Sequence, residues 1–195
     1  SVLGCVVVGN TAPQSSGAIG QINGVMEIRN TSVIANEVVA SNGAGGFKAF
    51  QQGPGPLTTH VANSIFWANS RATVQDFSAQ FGLASPFLPG VTFSSFQGGS
   101  PSGPGNNALD PLFVRLPSPG LDATWGTPDD DYGNLRLSAS SPAIDSGDAL
   151  AVPPDAYDVD QDNNTTEALP LDLAGNPRFY DDPTRANTGS GSPPV

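Results

Sequence analysis

A recurring segment constrains this chain more than its composition does. "RNTSVIAN", beginning at Arg29, returns as "VANSIFWAN", beginning at Val61. Asn30 falls on Asn63, Val33 on Phe66, Ala35 on Ala68 and Asn36 on Asn69, all 33 residues apart. A fainter copy, "GCVVVGN", sets Gly4 under Asn30, Val7 under Val33 and Asn10 under Asn36, 26 residues earlier. Self-similarity at a period of roughly 20–50 residues marks a stacked architecture, in which each unit buries its apolar side only against the next.

The unit reads as strand. In "VMEIRN", Met26, Ile28 and Asn30 alternate with Val25, Glu27 and Arg29, which is the two-residue period of a pleated chain. "LTTHVANSIFW" is rich in the β-branched and aromatic residues that strands favour, and the segments hold little helix-forming composition. The expected fold is all-β: a right-handed parallel β-helix with long loops and an irregular acidic C-terminal tail. Coils with loop insertions are expected over residues 1–147, and a loop-rich tail over 148–195 packs on or caps them. Unequal spacing fits this fold, because a coil lengthens freely in any loop that faces water, as at "QQGPGPL". "SGAIG" (Ser16–Gly20) and "AGGFK" (Ala44–Lys48) mark a second equivalent corner.

Val7, Val33 and Phe66 are predicted to form an inward apolar column. Asn10, Asn36 and Asn69 are predicted to form an internal ladder, each amide bonding its counterpart one coil away. The plainer alternative is three ordinary turn asparagines, since Asn tolerates the left-handed bend. Asn30 is predicted to point inward, which argues against its "NTS" as a glycosylation site; the sequons at Asn163 and Asn164 are predicted to be exposed. Residues 74–91 read as a long covering loop with a short helical turn. "VTFSSFQGG" reads as another coil strand, and "ALDPLFV" and "GNLRLSASSPAIDSG" as the last strands.

Charge is placed unevenly. Of a net −11, none comes from residues 1–109, where Glu27, Glu37 and Asp76 balance Arg29, Lys48 and Arg71. The excess acid beyond residue 109 excludes nucleic acid as a partner, because phosphate neutralisation needs Lys and Arg. It favours a divalent cation, for which we expect calcium. A single Cys5 excludes an intrachain disulfide and a zinc finger. No apolar run is long enough to span a bilayer, and the opening residues do not read as a signal peptide. The chain opens inside a repeat, so Ser1 is read as a processed or truncated end.

"DVDQDNNTTE" is the first candidate site. Asp158, Asp160 and Asp162 alternate, followed by Asn164 and Glu167, and such a loop can supply several of the six to eight oxygens calcium takes. An EF-hand is excluded, because Asn163 and Leu169 occupy the positions that need Gly and Glu. The run is either another kind of calcium loop or a solvated acidic turn. The second candidate is "LDATWGTPDDDYG", where Asp122 precedes Asp129, Asp130 and Asp131. Adjacent carboxylates repel unless a cation or full hydration relieves them. Asp110 and Asp145 read as turn residues that bond backbone N–H groups.

An enzyme site finds less support. The 33-residue offset sets His60 beside Glu27, with Arg29 on the same outward face, and a solvated charged face is the simpler account. Glycosidase chemistry needs a second carboxylate across a cleft, and none appears in that register. His60 also lacks a nucleophile elbow. Trp67 and Trp125 are rings that can stack on sugars, although Trp67 reads better as a half-buried strand residue.

Together, "NSIFWAN", "NALDPLFV", "SPAIDSGD" and "LDLAGNPRFYDDP" resemble the C-terminal part of bacterial right-handed β-helix proteins of the choice-of-anchor Q domain type, frequent in planctomycetes. The resemblance implies a secreted or surface-attached protein with no assigned activity, and a closing strand of the type "VDMGAYE", before which this chain stops. The function expected is a non-enzymatic module with a structural, adhesive or fibre-forming role, stabilised by calcium. It would self-associate end to end or bind extracellular polysaccharide. The alternative is the C-terminal fragment of a β-helix polysaccharide lyase or glycoside hydrolase whose catalytic coils lie upstream.

Overall fold

The computed structural model describes residues 1–83 and 90–193. The first run of strands is β1 (Val2–Leu3), β2 (Val6–Val8), β3 (Thr11–Ala12) and β4 (Ile19–Ile22). The second is β5 (Gly24–Arg29), β6 (Ser32–Ile34), β7 (Glu37–Val38) and β8 (Phe47–Phe50). The third is β9 (Leu57–Ala62), β10 (Ile65–Trp67), β11 (Ser70–Arg71) and β12 (Phe81–Gly82), and β13 (Gly90–Thr92) and β14 (Ser95–Phe96) begin a fourth. Each of the first three runs adds one strand to each of four sheets and the fourth adds to two, in the orders β1-β5-β9-β13, β2-β6-β10-β14, β3-β7-β11 and β4-β8-β12; the runs are called coils below. Pairing within them is parallel throughout.

The sequence offsets are the structural register. Ile28 lies beside Val61, Val33 beside both Phe66 and Val7, and Ile19 beside Phe47. Stacked equivalents sit one strand spacing apart, about 4.8 Å, which suits offset aromatic stacking. Phe47 and Phe81 accordingly stack at 4.8 Å and Phe66 and Phe96 at 5.1 Å, with Phe81 edge-on to Phe66 and Phe96. Ile28, Val61 and Val91 complete the buried interior with Val33.

The corners between strands use left-handed backbone. Gly4, Asn30, Asn63 and Phe93 share one corner with φ of 60°, 50°, 51° and 46°. This corrects the expected inward orientation of Asn30. Positive φ ends the alternation that places Met26 and Ile28 inside, and Asn30 instead lines a lateral groove with Ser32, Ile65 and Arg178.

The asparagine ladder forms as expected. Asn10 Nδ2 donates to Asn36 Oδ1 at 2.8 Å, and Asn36 Nδ2 donates to Asn69 Oδ1 at 2.9 Å. The backbone N–H groups of Asn10 and Asn36 donate to the same two oxygens. Asn36 and Asn69 are fully buried. A last rung lies outside the repeat: Gln80 Oε1 accepts from Asn69 Nδ2 at 2.8 Å and from its backbone N–H at 3.1 Å.

Gln80 ends the short helix α1 (Phe77–Gln80), whose N-cap Asp76 accepts from the Ala79 N–H at 2.9 Å. Residues 74–83 are thus more than a covering loop, since they supply the ladder's end and β12; of the rest of that expected loop, 84–89 lie outside the described residues and 90–91 belong to strand β13. A second ladder was not anticipated. The N–H of Thr31 donates to Ser64 Oγ, that of Ser64 to Ser94 Oγ and that of Ser94 to Asn106 Oδ1.

The two ends of the stack differ. At the fourth coil, the following segment covers the strand edges: Phe93 N–H donates to Pro104 O, Phe96 N–H to Asn107 O and Asn106 Nδ2 to Val91 O. At the first coil, β1 to β4 each pair on one side only. Val6 there is 41% exposed, and Asn10 is exposed with nothing donating to its Oδ1 among the described residues.

β15 (Phe113–Arg115) and β16 (Asn134–Leu137) pair antiparallel. They were expected as strands of the stack, and instead form a ribbon outside it. The cause is apolar residue on the outward face of the second sheet. Ile34, Ile65 and Trp67 point away from the core, and Phe113, Leu135 and Trp125 cover them. The tail then follows the Gly4–Asn30–Asn63 corner. Asn63 Nδ2 donates to Asp148 O at 2.8 Å, and Asp148 N–H returns to Asn63 Oδ1 at 2.7 Å. Further on, Leu169 lies against Gly4. The tail therefore touches both the third coil and the first.

Candidate functional site

The acidic turn is built between two returning segments. Pro154 and Ala168 form an antiparallel bridge, Asp155 N–H donates to Glu167 O at 2.8 Å and Leu169 N–H to Pro153 O at 2.9 Å. This closure draws Asp155 inside the turn, where it is fully buried. Asp155 Oδ2 accepts from the Val159 N–H at 2.9 Å, while Oδ1 is buried and has no hydrogen-bond partner. Glu167 is arranged alike: Oε2 accepts from Asn164 Nδ2 at 2.6 Å, and Oε1 is buried without a partner. One carboxylate oxygen each from Asp155, Asp160 and Glu167 lie within 4.8 Å of one another, close enough to hold a metal ion. Burial, together with the charges of Asp162, Asp160 and Asp155, raises the Glu167 carboxyl above its usual range. No ion pair reaches these carboxylates among the described residues.

The alternating run expected as the centre of this site divides. Asp160 and Glu167 join the cluster above. Asp158, Asp160 and Asp162 also come within 4.8 Å of one another, but as partly or fully exposed groups. Asp158 Oδ1 and Asp162 Oδ1 are engaged by the N–H groups of Asn163 and Asn164, and Asn164 Oδ1 accepts from Thr166. Asp155 had no place in the sequence pattern. It precedes the alternation by three residues, and its burial comes from a bridge between Pro154 and Ala168 that no local spacing reveals.

The second candidate loop disperses its acids. Asp122 Oδ1 accepts from Thr124 N–H, Asp129 from Leu121 N–H and the Thr127 hydroxyl, and Asp130 Oδ2 from Gly126 N–H. Asp131 pairs with Arg115. These side chains tie down a turn, and the Thr127 hydroxyl draws the Asp129 carboxyl below its ordinary range. Asp110 accepts from the Leu112 N–H as expected of a turn residue. Asp145 does more: its buried carboxylate accepts from Asp182 N–H, and its carbonyl accepts from Thr188 and Gly189, holding the end of the tail.

Glu27 and His60 are register neighbours, and Arg29 sits 3.4 Å from Glu27 on the same face. Trp67 is 9% exposed beneath the ribbon, and Trp125 packs on Gly9 and stacks with Tyr132 at 6.0 Å. Both indoles are thereby occupied by the protein itself. No helix among the described residues is long and apolar enough to cross a membrane. No family model, no curated protein and no solved structure matches the chain.

Proposed function

We propose that the chain is a structural module of a secreted or cell-surface protein, a right-handed parallel β-helix of the kind the choice-of-anchor Q resemblance implies. Its first-coil edge takes up a further β-coil, and calcium fastens its acidic tail. The supporting observation is the inequality of the ends. A strand edge with free N–H and C=O groups is a template for pairing, and only the fourth-coil end carries a cover among the described residues. The ladder also defines its partner. Each asparagine donates toward the next coil and accepts from the one before, so the incoming coil presents a side-chain amide to Asn10 Oδ1. End-to-end self-association of two bare ends does not fit this geometry, because residues 104–107 occupy the edge that a second copy would need.

The test is a fusion that joins a copy of residues 24–59 to Ser1, so that Ser1 takes the register position of His60. Slower amide exchange in β1 to β3 and a higher unfolding midpoint are expected. Unchanged exchange at these strands refutes coil addition. Release of reducing ends or unsaturated products from polysaccharides by the purified chain would overturn the non-enzymatic role.

A further inference from the structure

We propose that Asp155, Asp160 and Glu167 form one divalent-cation site, with buried Asp155 as its anchor, and that calcium in this site clamps the tail turn against the first coil. The proposal rests on, and localises, the reading of a calcium-fastened tail. Acidic residues gathered on a surface need no ion. Asp155 is different because it is fully buried, and one of its oxygens lacks any hydrogen bond. A carboxylate withdrawn from water without a partner is strongly unfavourable unless it is neutralised or paired. Glu167 Oε1 shares the condition, and the two residues are already joined through the Asp155 N–H and Glu167 O bond.

The donor set defines the ligand class. Three carboxylates with no imidazole or thiolate suit a hard cation. Oxygens within 4.8 Å of one another can share an ion at the roughly 2.4 Å distance that calcium adopts, with its remaining positions filled by water or carbonyls. The neighbouring Asp158–Asp160–Asp162 group offers no buried, unpaired oxygen. It shares Asp160 with the site and stands outside it otherwise.

Position gives the site its consequence. Just beyond the turn, Leu169 rests on the Gly4 corner, and Arg178 donates to the carbonyls of Leu169 and Leu171 at 3.2 and 2.7 Å. A cation bridging Asp155 and Glu167 locks the two arms of the turn at their base, and so fixes the segment that seats on the first coil.

Calorimetric titration of the full chain with calcium chloride, beside thermal melts in calcium and in EDTA, tests this. Calcium is expected to raise the wild-type midpoint. Asp155→Asn should abolish that rise, and Asp160→Asn and Glu167→Gln should weaken binding at least tenfold, while Asp158→Asn leaves it within twofold. In EDTA, Asp155→Asn should melt at or above the wild type, because a buried unpaired charge is removed; a lower midpoint there marks a purely structural aspartate and overturns the site. If Asp155→Asn does not fold, Asp160→Asn and Glu167→Gln decide it. Calcium binding that survives these variants overturns the site and leaves calcium-fastening elsewhere in the tail standing. No response of the wild type overturns both.

Discussion

The first-coil and fourth-coil ends of the stack are made of equivalent strands, yet they finish differently. Their difference shows what the ladders are for. An asparagine ladder has a direction, because each Nδ2 donates toward the fourth coil and each Oδ1 accepts from the first-coil side. The final rung requires only an oxygen, and Gln80 supplies one from outside the repeat; Asn106 does the same for the hydroxyl ladder. The opposite end is left with an acceptor, Asn10 Oδ1, that wants a donor. The fourth-coil end is thus closed by amides borrowed from outside the repeat, without any change in the repeating strands.

The comparison breaks most visibly at Asn69. Replacing it by alanine orphans the buried Asn36 backbone N–H, while Asn36 Nδ2 keeps Val7 O and Ile34 O, and it removes the Asn69 Nδ2 bonds to Val33 O and Gln80 Oε1; an unsatisfied buried donor costs about 1–3 kcal/mol and a lost hydrogen bond about 0.5–1.5 kcal/mol. We expect Asn69→Ala to lose about 3–5 kcal/mol in urea unfolding, from one orphaned donor and two lost hydrogen bonds together. Asn10→Ala, at the exposed end, should lose about 0.5 kcal/mol, at the low end of a net hydrogen bond. Equal losses would mean that the ends are not distinct. Gln80→Ala is intermediate, at about 2 kcal/mol by the penalty for unpaired buried donors, because Asn69 keeps its bond to Val33 O. Amide exchange should accelerate at Asn69 and Ser70 before it does in β5. Uniform acceleration through the stack would show that Gln80 is not a local cap.

Much of this was legible in advance, and the limit is physical. Repeats place equivalent residues in register, so Val33 on Phe66 and Asn36 on Asn69 follow from spacing alone. Gln80, Asn106 and Asp155 are single-copy residues, and their positions depend on contacts made by loops after the stack has formed. The ribbon was misplaced for a related reason. "GNLRL" has the alternation of a strand, but alternation does not say which sheet a strand joins. The outward apolar residues Ile34, Ile65 and Trp67 decide that, since they require cover. In the acidic turn, alternation marks Asp158 and Asp162, whose carboxylates accept turn N–H groups, and leaves out Asp155, which closure of the turn buries.

The smallest expected effect concerns how the closed end is held. Asp76 caps α1 and pairs with Arg71 at 2.7 Å, and the Arg71 hydrogen bond is the leading reason its carboxyl lies below the ordinary range. A carboxyl depressed on folding stabilises the fold above its unfolded pKa, near pH 4 by roughly the usual value for aspartate, and that contribution disappears as pH falls through the folded value. Asp76 is 42% exposed, so solvent screening holds the benefit to less than about 1 kcal/mol. Asp129 and Asp182 also titrate low, held by the Thr127 and Thr184 hydroxyls, so the whole chain weakens in acid for several reasons together. The difference between wild type and Asp76→Asn isolates the cap. Their unfolding midpoints should be separated at neutral pH and converge as the medium becomes strongly acidic. A separation that stays constant with pH would show that Asp76 holds Gln80 through shape alone, with no part played by its charge.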